Sequence, residues 1–207
     1  MVRNSSKFAI LAAAAVLGLS AAGAHAQEVR HGRVLKKNHA GGTTAARGTE
    51  AKGVNGGEVR HGAGIATNGQ GGAVAAHGTA AEGPNGGKAA RGNYIAKDGQ
   101  GNVQTGSAAG FKGPNGAQGS RHSQTNYNAD GSASHSGSSS VSGKNGSIQS
   151  SGSSTRSADG QVNGQRTSTA TGKSGNSETV TTTDSNGQIS RSKSCKDAND
   201  NSIPCGQ

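Results

Sequence analysis

The chain is poor in the residues that build a conventional core. Among its 207 residues there are two tyrosines, two phenylalanines, no tryptophan and three prolines. Without aromatic platforms for base stacking, a dedicated binder of single-stranded nucleic acid is disfavoured. Large apolar residues are so sparse that their burial would fall far short of the conformational entropy lost in ordering a globular domain. Two outcomes survive: a disordered chain, or a repetitive β-structure held by backbone hydrogen bonds.

The motifs of catalysis and metal binding are also missing. No phosphate-binding Gly-x-x-x-x-Gly-Lys loop and no Gly-x-Ser-x-Gly elbow in a helical context occurs. The histidines lack the short paired spacing of zinc sites. Residues 197–201 open like a calcium loop, but Ser202 stands where that loop needs glycine. We therefore expect no enzyme activity, no cofactor, no metal and no small-molecule substrate.

The first 26 residues have the pattern of a Sec signal peptide. Arg3 and Lys7 precede an apolar stretch over 8–19, and residues 24–26 (AHA) fit the cleavage pattern. The stretch is too short for a membrane-spanning helix, which needs about 20 residues. These features predict a bacterial protein that is secreted or displayed at the cell surface, with the periplasm as an alternative, and without a transmembrane segment after processing.

A tandem repeat of thirty residues organises the rest of the chain. Residues 28–32 (EVRHG) return as 58–62, and 53–57 (GVNGG) return as 83–87 (GPNGG). Self-similarity at a fixed period is typical of arrays in which neighbouring units complete each other. The prediction is an all-β fold of strand–turn–strand repeats, either a β-solenoid or stacked hairpins.

Each repeat carries two turn signals, Gly-x-Asn-Gly and a separate Asn-Gly or Asp-Gly. Both tolerate the positive φ of tight turns. The predicted turn positions in the regular repeats are Asn55, Gly56, Asn68, Gly69, Asn85, Gly86, Asp98, Gly99, Asn115 and Gly116.

Between the turns, polar residues alternate with period two, as in strands. In 162–171 one parity is entirely Asn, Gln and Thr, and Thr179, Thr181 and Thr183 share a parity further on. The run 181–183 also leaves open, as a minor alternative, a flat threonine array that recognises ice or a crystalline surface.

Composition divides the chain into four parts: the signal peptide at 1–26, regular Gly/Ala-rich repeats at 27–116, degenerate Ser/Thr-rich repeats at 117–194, and a cap at 195–207. In the third part the turn spacing drifts, since Asp98 to Asp130 is 32 residues and Asp130 to Asp159 is 29. Both ordered β-strands and a flexible linker are compatible with the composition of this part. Cys195 and Cys205 predict a disulfide that closes the last unit, with a redox-active or intermolecular pair as the alternative.

Charge points to a partner of opposite sign. Once Arg3 and Lys7 are removed, 19 Lys and Arg stand against 11 Asp and Glu. Such a balance favours anionic polysaccharide, lipopolysaccharide, DNA or another cell-surface polymer, although it also simply keeps a repeat protein soluble. Repeat alignment places His31, His61, Arg91 and Arg121 in one column and Arg47 and His77 in another. The residues proposed to bind a polyanion are Arg30, His31, Arg47, Arg60, His61, His77, Arg91 and Arg121.

In general plan the chain resembles the curli-like β-repeat fibre subunits of bacterial biofilm matrices. The resemblance rests on the signal, the Gly/Asn/Gln/Ser-rich repeats and Gln or Asn beside turns, as in 68–71 (NGQG) and 159–162 (DGQV). It implies a component of an extracellular or surface fibre that associates with itself by strand stacking. The alternatives are a soluble cationic module that binds anionic polymers and a disordered secreted peptide.

Overall fold

The computed structural model describes residues 28–205, so the predicted signal peptide lies outside it. The described residues form thirteen β-strands and no helix. The strands are β1 Glu28–Lys37, β2 Thr43–Lys52, β3 Glu58–Thr67, β4 Ala73–Glu82, β5 Lys88–Lys97, β6 Val103–Lys112, β7 Gln118–Tyr127, β8 Ala133–Gly143, β9 Gly146–Arg156, β10 Val162–Gly172, β11 Ser177–Ser185, β12 Gln188–Lys196 and β13 Ser202–Ile203. The all-β prediction is confirmed, and within 28–205 no helix is present that is long and apolar enough to cross a membrane.

Consecutive strands pair antiparallel, and their order follows the chain. In the first pair Glu28 lies opposite Lys52 and Lys37 lies opposite Thr43. In the next pair Lys52 lies opposite Glu58. One thirty-residue repeat is thus two strands and two turns, and of the two predicted arrangements the observed one is stacked hairpins.

The chain forms two compact units, one ending at Thr105 and the other beginning at Gly106, within β6. The first unit contains β1 to β5 and the second contains β7 to β13. The predicted Ser/Thr-rich part falls in the second unit, where it forms regular strands. The division at 116 stays a prediction about composition.

In the regular repeats the Gly-x-Asn-Gly signal forms a three-residue hairpin loop. The N–H of Gly53 donates to the carbonyl oxygen of Gly57 (2.8 Å), and the N–H of Gly56 donates to that of Gly53 (3.0 Å). Gly56 has a φ of 79°, which favours glycine because it has no Cβ. Asn85-Gly86 and Asn115-Gly116 occupy the same two places in their loops. In these three loops the asparagine and the glycine are the last two of the three loop residues.

The second signal is used differently, because its Asn or Asp begins the loop. The Oδ1 atom of Asp98 accepts the N–H groups of Gln100 (2.8 Å) and Asn102 (2.9 Å). Asn68 makes equivalent bonds in its own loop. A side chain that accepts backbone N–H groups in this way stabilises the turn without a positive φ of its own. Gly69 has a φ of 72°, and at the fourth position Gly71 and Gly101 have φ values of 85° and 90°.

The drift in turn spacing has a structural cause. The loops 98–102 and 128–132 are closed by the same backbone bond, from Asp98 N to Asn102 O and from Asn128 N to Ser132 O, so the period there is thirty. The aspartate has moved from the first to the third position of the loop. The later spacing of 29 arises because β8 and β9 join through only two residues, Lys144 and Asn145, between Gly143 and Gly146.

No hydrophobic side chain in the described part of the chain is buried. Leu35 and Ile189 are 76% and 72% exposed. The order of the sheet therefore comes from ladder hydrogen bonds and cross-strand side-chain pairs rather than from an apolar interior.

Candidate binding faces

Alternation along the strands divides the side chains of each unit between two faces. In the first unit, even-numbered residues of β1 share a face with the residues that lie opposite them in β2 to β5. We call this the paired face, and the other side, which carries the odd-numbered residues, the cationic face. All four glutamates of these strands, Glu28, Glu50, Glu58 and Glu82, lie on the paired face.

On the paired face, acids and bases compensate each other. Lys52 Nζ lies 3.4 Å from a carboxylate oxygen of Glu50 and 3.9 Å from one of Glu58. Lys88 Nζ lies 3.1 Å from Glu82. Arg30 Nε donates to Glu28 Oε1 at 2.7 Å, and this bond lowers the pKa of the Glu28 carboxyl. The contacts of Lys52 with Glu58 and of Lys88 with Glu82 join neighbouring strands, whereas the other two lie within one strand.

The cationic face holds eight basic or imidazole side chains and no carboxylate. They are His31, Arg33, Lys37, Arg47, His61, His77, Arg91 and Lys97. Arg33, Arg47 and Arg91 are exposed, and none of them has an acidic partner among the described residues. The unpaired positive charge of the first unit is therefore concentrated on one side of its sheet.

Small and apolar residues surround these charges. Leu35, Ile65 and Ile95 lie in one cross-strand column, with Ala45 and Ala75 between them. All three large residues are at least half exposed. Two shallow hollows lie here: one is lined by Arg33, Arg47, His61 and His77 beside this column, and the other by His31, Thr49 and the same two arginines.

The predicted polyanion-binding residues do not share one surface. Arg30 and Arg60 lie on the paired face, where Arg60 contacts Glu58 and Glu50. Their sequence neighbours His31 and His61 point the other way, and each imidazole Nδ1 lies 3.1 Å from the hydroxyl of a threonine on the next strand.

His31, His61 and Arg91 do share a column, with Thr49 and Thr79 on the strands between them. Arg47 and His77 also lie on the cationic face, whereas Arg121 belongs to the second unit. Sequence reasoning missed Arg33, which lies directly opposite Arg47. Its odd position in the same strand as His31 was the available signal.

The second unit has a face of a different kind. Five alternate residues from each of β7 to β12 make up this face, and 28 of the 30 carry a hydroxyl or a carboxamide. The exceptions are His122 and Lys196. We call it the hydroxyl face. In β8 its members are Ser134, Ser136, Ser138, Ser140 and Ser142.

Its side chains hydrogen-bond to one another across strands. The hydroxyl oxygens of Thr169 and Thr179 are 2.9 Å apart, and those of Ser120 and Ser140 are 3.0 Å apart. Asn126 Nδ2 donates to Ser134 Oγ at 3.3 Å. The polar residues that alternate along the sequence therefore form one continuous array across the strands, and most of its side chains are neutral.

The opposite face of β7 to β12 carries the remaining residues of these strands. Its large side chains include Tyr127, Val141, Ile148, Val162 and Ile189. Its charged residues include Arg121, Arg156 and Arg166, with Glu178 and Asp184 of β11. Charge and apolar bulk are therefore sorted away from the hydroxyl face.

The chain end is covalently closed. Cys195 and Cys205 form the predicted disulfide, with their Cα atoms 5.2 Å apart. Beside it, the two-residue strand β13 pairs Ile203 with Cys195. The predicted disulfide is therefore confirmed.

In residues 28–205 no group of three or more His, Cys, Asp or Glu side chains is placed to hold a metal ion. No family model, curated protein or solved structure matches the chain.

Proposed function

We propose that this protein is an exported structural component of an extracellular or surface matrix that associates with copies of itself by strand addition. The observation that carries the proposal is the outer edge of β1. Among the described residues nothing pairs with that edge, and no buried apolar layer holds the sheet together. Unpaired edge groups are a template for another chain.

The backbone bonds identify which groups of β1 are open. Asn38 N donates to Gly42 O at 2.9 Å, and this pairing continues at every second residue through Val34 with Ala46 and Gly32 with Gly48. The N–H groups of even-numbered residues therefore face β2. Those of odd-numbered residues, Arg33 among them, face outward.

The sequence of β1 suits pairing with itself. When Gly32 of one copy lies opposite Gly32 of the other in antiparallel orientation, Glu28 lies opposite Lys36 and Val29 lies opposite Leu35. Opposite charges and apolar pairs at directly facing positions each stabilise a sheet by about 0.2–1 kcal/mol. The odd-numbered residues then form the hydrogen-bonded pairs, as the open edge requires.

Single proline substitutions at two neighbouring positions test the proposal. Arg33→Pro removes an outward N–H, whereas Val34→Pro removes one that bonds β2, and an edge strand tolerates only the first. We expect the Arg33→Pro variant of the mature chain to keep its circular dichroism spectrum and to lose the extended assemblies that edge pairing builds, as seen by sedimentation and electron microscopy. We expect Val34→Pro to reduce strand content. Assembly by Arg33→Pro equal to that of the parent chain would refute edge addition through β1.

A second candidate function rests on the cationic face. The absence of carboxylates from this side of the first unit supports the binding of an anionic polymer, such as an acidic polysaccharide or DNA. Arginine side chains that neutralise phosphates make affinity fall with salt, with a slope of about −0.9 in log K per phosphate of duplex DNA.

Duplex DNA is a convenient probe polyanion for this candidate. The double variant Arg33→Ala, Arg47→Ala should lower the salt slope by about 2. The matched variant Arg30→Ala, Arg60→Ala removes the same charge from the paired face and should change the slope little. Equal effects of the two variants, measured by fluorescence anisotropy, would show that net charge rather than this face governs binding.

A further inference from the structure

The hydroxyl face is neutral over most of its extent, and this restricts what can cover it. It has no charge complementary to a polyanion, apart from the contribution of Lys196 at one corner and His122 on β7. It also has no aromatic side chain on which a sugar ring or a base could stack. A charged polymer and a stacked ring are therefore poor occupants.

The chemistry of this face is complementary to itself. Serine and threonine hydroxyls both donate and accept, and carboxamides carry a donor and an acceptor. Both roles are seen across the strands: Asn126 donates to Ser134, and Ser185 donates to Asn163 at 3.4 Å. A second copy of the same face therefore offers a partner to each polar group that the contact would bury, which such groups require.

The face also has the shape and size of a stable interface. Its side chains are short, mostly serine and threonine, as in tightly interdigitated sheet stacks. Six strands spaced about 4.8 Å apart, each about 30 Å long, cover roughly 900 Å² per copy. That is close to the area of a standard protein–protein interface, about 800 Å² per partner.

We propose that the hydroxyl face of the second unit packs against the same face of a second copy. The contact is two-fold symmetric, since the same patch is used on both sides. It goes beyond the edge pairing of β1, and it rests on the proposed function only in that the chain meets copies of itself. Because it uses other residues, the two contacts can be broken separately.

The test uses two exposed serines on opposite faces of adjacent strands. Ser151→Glu puts a carboxylate in the central column of the hydroxyl face, and Ser139→Glu puts one on the other side of the sheet. Both are made in the mature chain that carries Arg33→Pro, so that edge pairing is blocked. Association is measured by analytical ultracentrifugation, and folding by circular dichroism.

We expect the Arg33→Pro parent to remain dimeric and Ser151→Glu to weaken that dimer by roughly a hundredfold, since a buried carboxylate would lack a partner. Ser139→Glu and the conservative Ser151→Thr should leave it unchanged. If Ser151→Glu does not fold, Ser153→Glu on the same face serves in its place.

A monomeric, folded Arg33→Pro parent would overturn the face contact and leave edge pairing standing. Equal weakening by Ser151→Glu and Ser139→Glu would also overturn it. Assembly that is insensitive to Arg33→Pro but lost with Ser151→Glu would instead refute edge pairing and support the face contact.

Discussion

The two units build similar strands from different material, and the difference shows two ways of making a sheet without a core. The first unit has glycine at the centre of β1 to β5, with Gly32, Gly48, Gly62, Gly78 and Gly92 in one cross-strand column. The second unit has Ser138, Ser151, Thr167, Thr181 and Ser192 in its central column.

In the first unit, cross-strand order depends on charge pairs near the strand ends, whereas in the second it depends on hydroxyl pairs spread over one face. The first arrangement leaves one side strongly basic, and the second leaves one side neutral. Substitution, reduction and acid should therefore affect the two units differently.

The close backbone contact at Gly42 should be the most sensitive position in the first unit. A Cβ there would lie 1.9 Å from the carbonyl oxygen of Thr67, and backbone cannot move aside cheaply. We expect Gly42→Ala to lower the free energy of unfolding by about 3 kcal/mol. In the second unit a Cβ on Gly143 would meet only Ala117, at 3.9 Å. Gly143→Ala should therefore leave the free energy of unfolding nearly unchanged. Thermal unfolding of both variants measures this difference.

The covalent closure belongs to the second unit alone among the described strands. Its cysteines are ten residues apart, and a loop of this size contributes about 2–3 kcal/mol in the chain-entropy model. Reduction should therefore release β13 and the end of β12 while β1 to β5 keep their structure. Hydrogen exchange with and without reductant measures this, and equal loss of protection in both units would contradict it.

The glycine column of the first unit should respond to added strand propensity. A Cβ on Gly48 would have a single near neighbour, the carbonyl oxygen of His61 at 3.5 Å, which is ordinary contact. Gly48→Thr makes this position resemble Thr167 and should stabilise the first unit by about 0.5–1 kcal/mol. A lowered melting temperature would show that the column needs glycine for another reason.

Acid should weaken the turns of the second unit slightly more than those of the first. Hydrogen bonds from Ser132, Ser157 and Asn201 lower the pKa values of Asp130, Asp159 and Asp197. A lowered folded pKa stabilises the fold fully above the ordinary aspartate value of about 3.9, and the effect is lost as pH falls through the folded value.

In the described loops of the first unit, the bond from Asn102 lowers the pKa of Asp98, whereas Asn68, which does not ionise, occupies the corresponding loop position. Circular dichroism melts at neutral pH and near pH 2 should therefore differ less for Asp197→Asn than for the parent chain. An unchanged difference would assign the acid effect to other groups.

The strand and turn pattern could be predicted from sequence because its signals are local. Asn186-Gly187 is a two-residue hairpin turn in which both residues have positive φ, as that dipeptide predicts. The sorting of charge was missed for a physical reason. The thirty-residue alignment treats Arg30 and His31 as one basic group, but adjacent residues in a strand point to opposite faces.

Only parts of the hydroxyl face could be predicted from the sequence. Thr179, Thr181 and Thr183 share a parity in the sequence, but their alignment with Thr167 and Thr169 depends on the register of β10 and β11. That register is set by the loop at 173–176, where Gly172 N donates to Asn176 O. The register could not be predicted from the sequence, because it depends on the length of this loop rather than on the composition of the strands.

The two-residue link at Lys144 and Asn145 shows how such a protein can change in length. Each strand depends only on the strand before it and the strand after it, so a shortened loop moves the numbering by one and leaves all other pairings intact. Adding or removing a whole hairpin would therefore leave the remaining strand pairs unchanged, because the described strands share no buried interior.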